Sequence, residues 1–238
     1  MTAQAFQAVQ TLDKCSDEIA KLTGAVNSAL QLVPAFLRDL LGDVYKKWNE
    51  FCDVAQAFFD RCAEVFGYGL GDPGALRELA ETWSTKTVEL LEESSKVVSA
   101  AQLRADSTWV GPSATQYAQA ISDQSEAIAQ VKSSAKLMGR ALEDHAGAID
   151  NFWGNIINGF VNFLLSLAGA VVSALALVPP LTPLGIIGLI ISVIGAVKSV
   201  WDLFATEISD LEQFAEDAKR LAEDVHESLA DPWPVLVK

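Results

Sequence analysis

From Asn151 to Val197 the chain contains no charged residue. Such a stretch must be covered by protein or by lipid, because an apolar surface of that extent is unfavourable in water. Val178-Pro-Pro-Leu-Thr-Pro-Leu-Gly185 divides it, predicting apolar helices over roughly 151–178 and 183–204. At about 1.5 Å per residue each is long enough to cross a ~30 Å hydrocarbon core. Small and polar side chains complicate that reading. Asn151, Asn155, Asn158, Asn162, Ser166, Gly169 and Ser173 recur at helical spacing along one face, and each amide facing lipid would need a partner. In the second helix Gly185, Gly188, Ser192, Gly195 and Ser199 step by threes and fours, the pattern that two closely approaching backbones need. The segment therefore reads as a helical hairpin hidden by the rest of the chain or by a partner, with stable spanning and conditional insertion as alternatives. Phe160, Leu165, Val172, Ile187, Ile190 and Ile194 are the candidates for membrane or partner contact.

Helical spacing continues over most of the chain, and no segment combines strict alternation with β-branched enrichment. An apolar stripe from Leu12 through Cys15, Leu22, Val26, Phe51, Phe58, Cys62 and Val65 predicts a long N-terminal helix over 1–66. Pro34 must at least kink it. With no other turn residue beside it, a kink is favoured over a hairpin. In a hairpin, Cys15 and Cys52 would lie almost equally far from the apex and could bond. Gly67-Tyr-Gly-Leu-Gly-Asp-Pro-Gly74 ends this helix, with Asp72 as N-cap and Pro73 at the first position of the next. That helix is expected to run to about Arg104 and to bury Leu76, Leu79, Trp83, Leu90, Val97 and Ala101. Gly111 and Pro112 then start another, carrying Tyr117, Ile121, Ile128, Val131, Ala135 and Leu142. The pair, spanning 72–149, is rich in Ala and Ser and is expected to form a close antiparallel hairpin. The apolar hairpin follows over 150–204. An amphipathic helix over 205–230 and an extended tail over 231–238 complete an expected all-α, elongated helical bundle.

Charge and chemistry exclude several functions. Lys and Arg number 17 against 31 Asp and Glu, a formal charge of −14, which opposes binding to nucleic-acid phosphates. The cysteines are Cys15, Cys52 and Cys62, and the histidines His145 and His226; none are at metal-ligand spacing. His145 has no nucleophile context, and His226 sits among acids on an exposed helical face. The glycines of 67–74 lack the Lys-Ser or Lys-Thr of a phosphate loop. No catalytic residue, cofactor or metal is expected. The N-terminus has neither a basic n-region nor an apolar run, so a cleavable leader is not expected.

Trp109-Val-Gly111 joins two helices, with a glycine for the reversal and an indole to plug the bend. With Gly71-Asp-Pro-Gly-Ala-Leu-Arg-Glu-Leu-Ala-Glu-Thr-Trp83 opening the first arm, the region from 71 to about 205 resembles the WXG-hairpin superfamily of type VII (ESX) secretion substrates. The similarity is to its larger actinobacterial, EspA-like members. The resemblance implies Trp109 and Gly111 as the hairpin turn. It also implies secretion or cell-envelope association by a leaderless route, and association with a helical partner, a small WXG-type or co-secreted protein, or with further copies of the chain. The family's Y-x-x-x-D/E export signal normally follows the hairpin, where this chain has no tyrosine. Tyr68 and Asp72 match the spacing, but they precede the hairpin in a glycine loop and read as coincidence.

Overall fold

The computed structural model describes residues 2–31, 33, 41–68, 71–98, 109–175 and 183–228, and the fold is all-α with no strand among them. The helices are α1 (Ala3–Gln31), α2 (Leu41–Tyr68), α3 (Pro73–Glu81), α4 (Val88–Val97), α5 (Pro112–Leu175) and α6 (Pro183–Ser228). A π-helical segment, Thr82–Thr87, joins α3 to α4 without a break. Two of these helices are longer than expected. The second hairpin arm and the first apolar helix are one 64-residue helix, α5. The second apolar helix and the amphipathic C-terminal helix are likewise one 46-residue helix, α6. The physical reason is simple. A change from charged to uncharged residues changes what a helix packs against, but it leaves the backbone hydrogen bonds intact, and neither helix has an internal proline.

The chain divides into two compact units, Met1–Gly71 with Ile149–Leu211, and Asp72–Ala148 with Glu212–Lys238. The uncharged hairpin lies in the first unit, with α1 and α2. Phe58 is the centre of that unit's core. Its ring lies 6.0 Å from Phe160, 6.2 Å from Phe163 and Phe204, and 6.1 Å from Trp201. Phe66 adds contacts to Trp153, Phe160 and Phe204. Burying each such ring contributes about 1.5–3 kcal/mol.

The N-terminal region is not one kinked rod. Cys15 Sγ donates to the carbonyl of Phe160 at 3.6 Å, while Phe58 packs on the ring of the same residue. A continuous helix would hold residues 15 and 58 about 60 Å apart, so α1 and α2 fold back on each other. Pro34 itself lies outside the described residues. The buried positions mirror one another in antiparallel order: Val33 with Val44, Val26 with Phe51, Leu22 with Ala55, Cys15 with Cys62, Leu12 with Val65. The cysteine level with Cys15 is therefore Cys62. Cys52 is exposed.

In the second unit α3 and α4 run antiparallel to the first part of α5. Arg77 bonds to Glu143 at 3.3 Å, and further along Glu92 pairs with Lys132. Asp72 caps α3 by accepting from the amide of Gly74 at 2.9 Å, with Pro73 following it at the first helical position. The buried face differs from the expected one. Leu79, Trp83, Leu90 and Val97 are exposed, whereas Pro73, Ala80 and Val88 are buried. Close approach explains the choice: a methyl group added at Gly139 would stand 2.7 Å from Ser84 Cβ and 3.0 Å from the Ala80 carbonyl. Only the small-residue face lets the backbones come that near. Ala80 and Val88 are eight residues apart, which an uninterrupted α-helix would leave about 80° out of line. The wider π turn takes up the extra residue. Side-chain hydroxyls help to hold it, Ser84 Oγ bonding to the Ala80 carbonyl at 2.8 Å and Thr87 Oγ1 to the Thr82 carbonyl at 3.1 Å.

Candidate interaction surfaces

Within the first unit, the uncharged part of α5 carries three stripes. Phe152, Ile156, Phe160, Phe163, Leu167, Ala170 and Ala174 are buried. The expected polar stripe from Asn151 to Ser173 is exposed throughout. Between them runs a third stripe of exposed apolar residues: Val161, Leu165, Val172 and Leu175, the last three each about two-thirds exposed. At 100° per residue this apolar stripe lies about a quarter-turn from the polar one. The polar stripe is milder than its composition implies. Ser166 and Ser173 donate to carbonyls of their own helix, and Asn155 donates to the Glu207 carboxylate at 2.9 Å. On α6, Gly188, Ser192, Gly195 and Ser199 are exposed together with Ile191, and no neighbouring atom lies within 4 Å of a methyl group added at Gly188 or Gly195. The small-residue stripe is therefore not where the two apolar helices meet; Ile186, Ile190, Val193, Val197, Val200 and Phe204 face inward instead.

The six contact candidates divide accordingly. Phe160, Ile190 and Ile194 are core, Ile187 is half-buried, and only Leu165 and Val172 are freely exposed. Val161, Leu175 and Ile191 were missed, although the first two share the helical face of Leu165 and Val172. The two long helices contain apolar windows with mean hydropathy 1.8 and 1.9, of which only 28 % and 33 % of the residues are buried.

Gly111 has a φ of +121°, in the region that favours glycine, and it directly precedes α5. Its carbonyl accepts from the Thr115 amide at 3.1 Å and so starts the helix. The Trp109 indole is 48 % exposed and leans on Tyr117, with ring centroids 5.3 Å apart. The first arm beyond Val98 lies outside the described residues up to Trp109, as do 229–238.

His145 stacks on Phe214 at 5.4 Å, and its Nδ1 is buried with no partner among the described residues. It borders an apolar groove of the second unit between Met138, Leu142, Leu221 and Val225. His226 is exposed. No cluster of three or more metal-ligating side chains occurs among the described residues. Comparison with protein-family models, with curated proteins and with solved structures returns no match, so a functional reading rests on the chain's own residues.

Proposed function

We propose that this protein acts by helix-on-helix association, as a substrate or secretion-associated partner of a type VII-like export route, with no catalytic step. The observation that carries the reading is the uncovered, uncharged apolar stripe Val161, Leu165, Val172 and Leu175 beside a weakly polar one. Such a face suits another helix: apolar contact supplies the driving force and small residues allow close approach. The Trp109-Val-Gly111 segment supports the export part, since Gly111 has the backbone geometry that a tight turn into a helix uses.

Leu165→Lys with Val172→Lys tests the reading. Both positions are exposed, so folding stability changes by no more than about 0.5 kcal/mol, as measured by urea denaturation. Partners that co-purify from the native host are lost, and the amount in the culture supernatant falls to that of a strain without a functional type VII system. An unchanged partner set and an unchanged supernatant would refute the proposal.

A second reading, insertion of the apolar helices into a bilayer, is favoured by the low burial of their hydropathic windows. Dye release from liposomes that disappears with the same double substitution supports insertion, and absence of release at every pH removes it. Ile190 is unsuitable for this purpose, because a charge in that core position unfolds the first unit.

A further inference from the structure

Cys15 and Cys62 are both wholly buried, and they sit at mirror positions of α1 and α2. Cys15 Sγ rests on the Phe160 carbonyl. Cys62 lies one helical turn from Phe58 and one from Phe66, whose rings both pack against Phe160 at 6.0 and 6.3 Å. The Cys15 thiol and the two rings that flank Cys62 thus meet the same residue of α5 from two helices. Each thiol is pushed up to about 12, chiefly by burial, and the nearby Cys15 sulfur adds to the effect at Cys62. No metal cluster claims them among the described residues.

We propose that Cys15 and Cys62 are an inter-helix redox pair that closes to a disulfide when the chain folds in an oxidising compartment, stapling α1 to α2. The oxidant is a small disulfide such as oxidised glutathione. One cysteine thiolate attacks it, releasing one small thiol and forming a mixed disulfide. The second cysteine thiolate then displaces the other small thiol. Two protons leave the protein, its two sulfurs are oxidised, and the small disulfide is reduced to two thiols. Burial sets when this happens. In the folded chain the thiolates are suppressed and covered, so exchange is slow. Closure belongs to the folding phase, and the finished bond is then shielded from reductant.

The test is to unfold the full-length chain in urea with reductant and to refold it in a glutathione redox buffer or in reductant alone. Unfolding, alkylation and peptide mapping follow. In the redox buffer the chain becomes lighter by two hydrogen atoms, a Cys15–Cys62 cross-link appears, and Cys52 alone takes the alkylating agent. The thermal midpoint rises by several degrees over that of the reduced chain, because the closed loop restricts the unfolded state. Cys52→Ala keeps the cross-link and the rise. Alkylation of both Cys15 and Cys62 after refolding in the redox buffer, or a cross-link through Cys52, would overturn the proposal. The mapping uses the natural chain, so the result does not depend on a cysteine variant folding.

Discussion

The two units are built on opposite packing rules. The first gathers large rings: Phe51, Phe58, Phe152 and Phe160 are fully buried, and Trp153, Phe163 and Phe204 close around them. The second buries Ala80, Val88, Ile121, Ile128 and Ala135, and it leaves Trp83 and Leu90 on the surface. Bulk fills space between helices that stand apart, whereas small residues allow two backbones to approach until their main chains touch. The first strategy gains its energy from area removed from water. The second trades area for closeness and so tolerates added volume poorly.

Removing a large core ring of the first unit should have the largest effect. Phe160→Ala removes a buried phenyl group from contact with Phe58 and Phe66. It is expected to cost about 3–5 kcal/mol by chemical denaturation. A loss below about 1 kcal/mol would show that the aromatic cluster is not the unit's main support.

The second unit should show the reverse sensitivity, with gain of volume as the damaging change. Gly139→Ala drives a methyl group onto Ser84 and the Ala80 carbonyl and is expected to cost about 1–3 kcal/mol. Ser84→Gly in the same chain should recover part of that loss. Gly147→Ala is the control, since nothing lies within 4 Å of its added methyl. Within α5 that substitution should be neutral or stabilising by up to about 1 kcal/mol. Equal behaviour of the two glycines would break the comparison.

The smallest effect concerns charge. Glu50 in the first unit is held below the usual carboxylate range by Lys47 of its own helix, and Glu92 in the second by Lys132 of a different helix. A depressed folded pKa means a contribution that is complete above the ordinary carboxylate value and is lost as the pH falls through the folded one. Both groups are exposed, so the contribution is small and salt-sensitive. The thermal midpoint of Glu92→Gln should therefore fall less between pH 6 and pH 3, in round figures, than that of the unaltered chain. An unchanged acid dependence would assign the acid response to other carboxylates.

Several of these features are legible in the residues alone, and others are not. The α-helical class follows from apolar spacing and the absence of alternation, and the Asp72-Pro73 start of α3 follows from capping chemistry. The face that α3 and α4 bury does not. Leu79, Trp83 and Leu90 obey helical spacing better than Ala80, Ser84 and Val88, which line up only through the π turn. Hydrophobicity favours the first set, and backbone proximity at Gly139 selects the second. In the same way Leu165 and Ile190 look alike in an uncharged stretch, yet one is exposed and the other is core. The kink favoured at Pro34 gives no sign that α1 and α2 fold back on each other. Even a reversal centred there would set Cys15 level with Cys52, whereas the buried positions of the two helices set it level with Cys62.

Residue order by itself determined that this chain is helical, that Gly111 bears a backbone requirement, and that a long segment free of charge must find cover. These are local properties, set by hydrogen-bond periodicity, side-chain volume and solvation. Tertiary structure decided that α1 and α2 double back, that α5 and α6 run unbroken across changes of polarity, and which apolar side chains stay outside. Those outcomes depend on which surfaces compete for the same neighbour, and the competition exists only once the helices are packed.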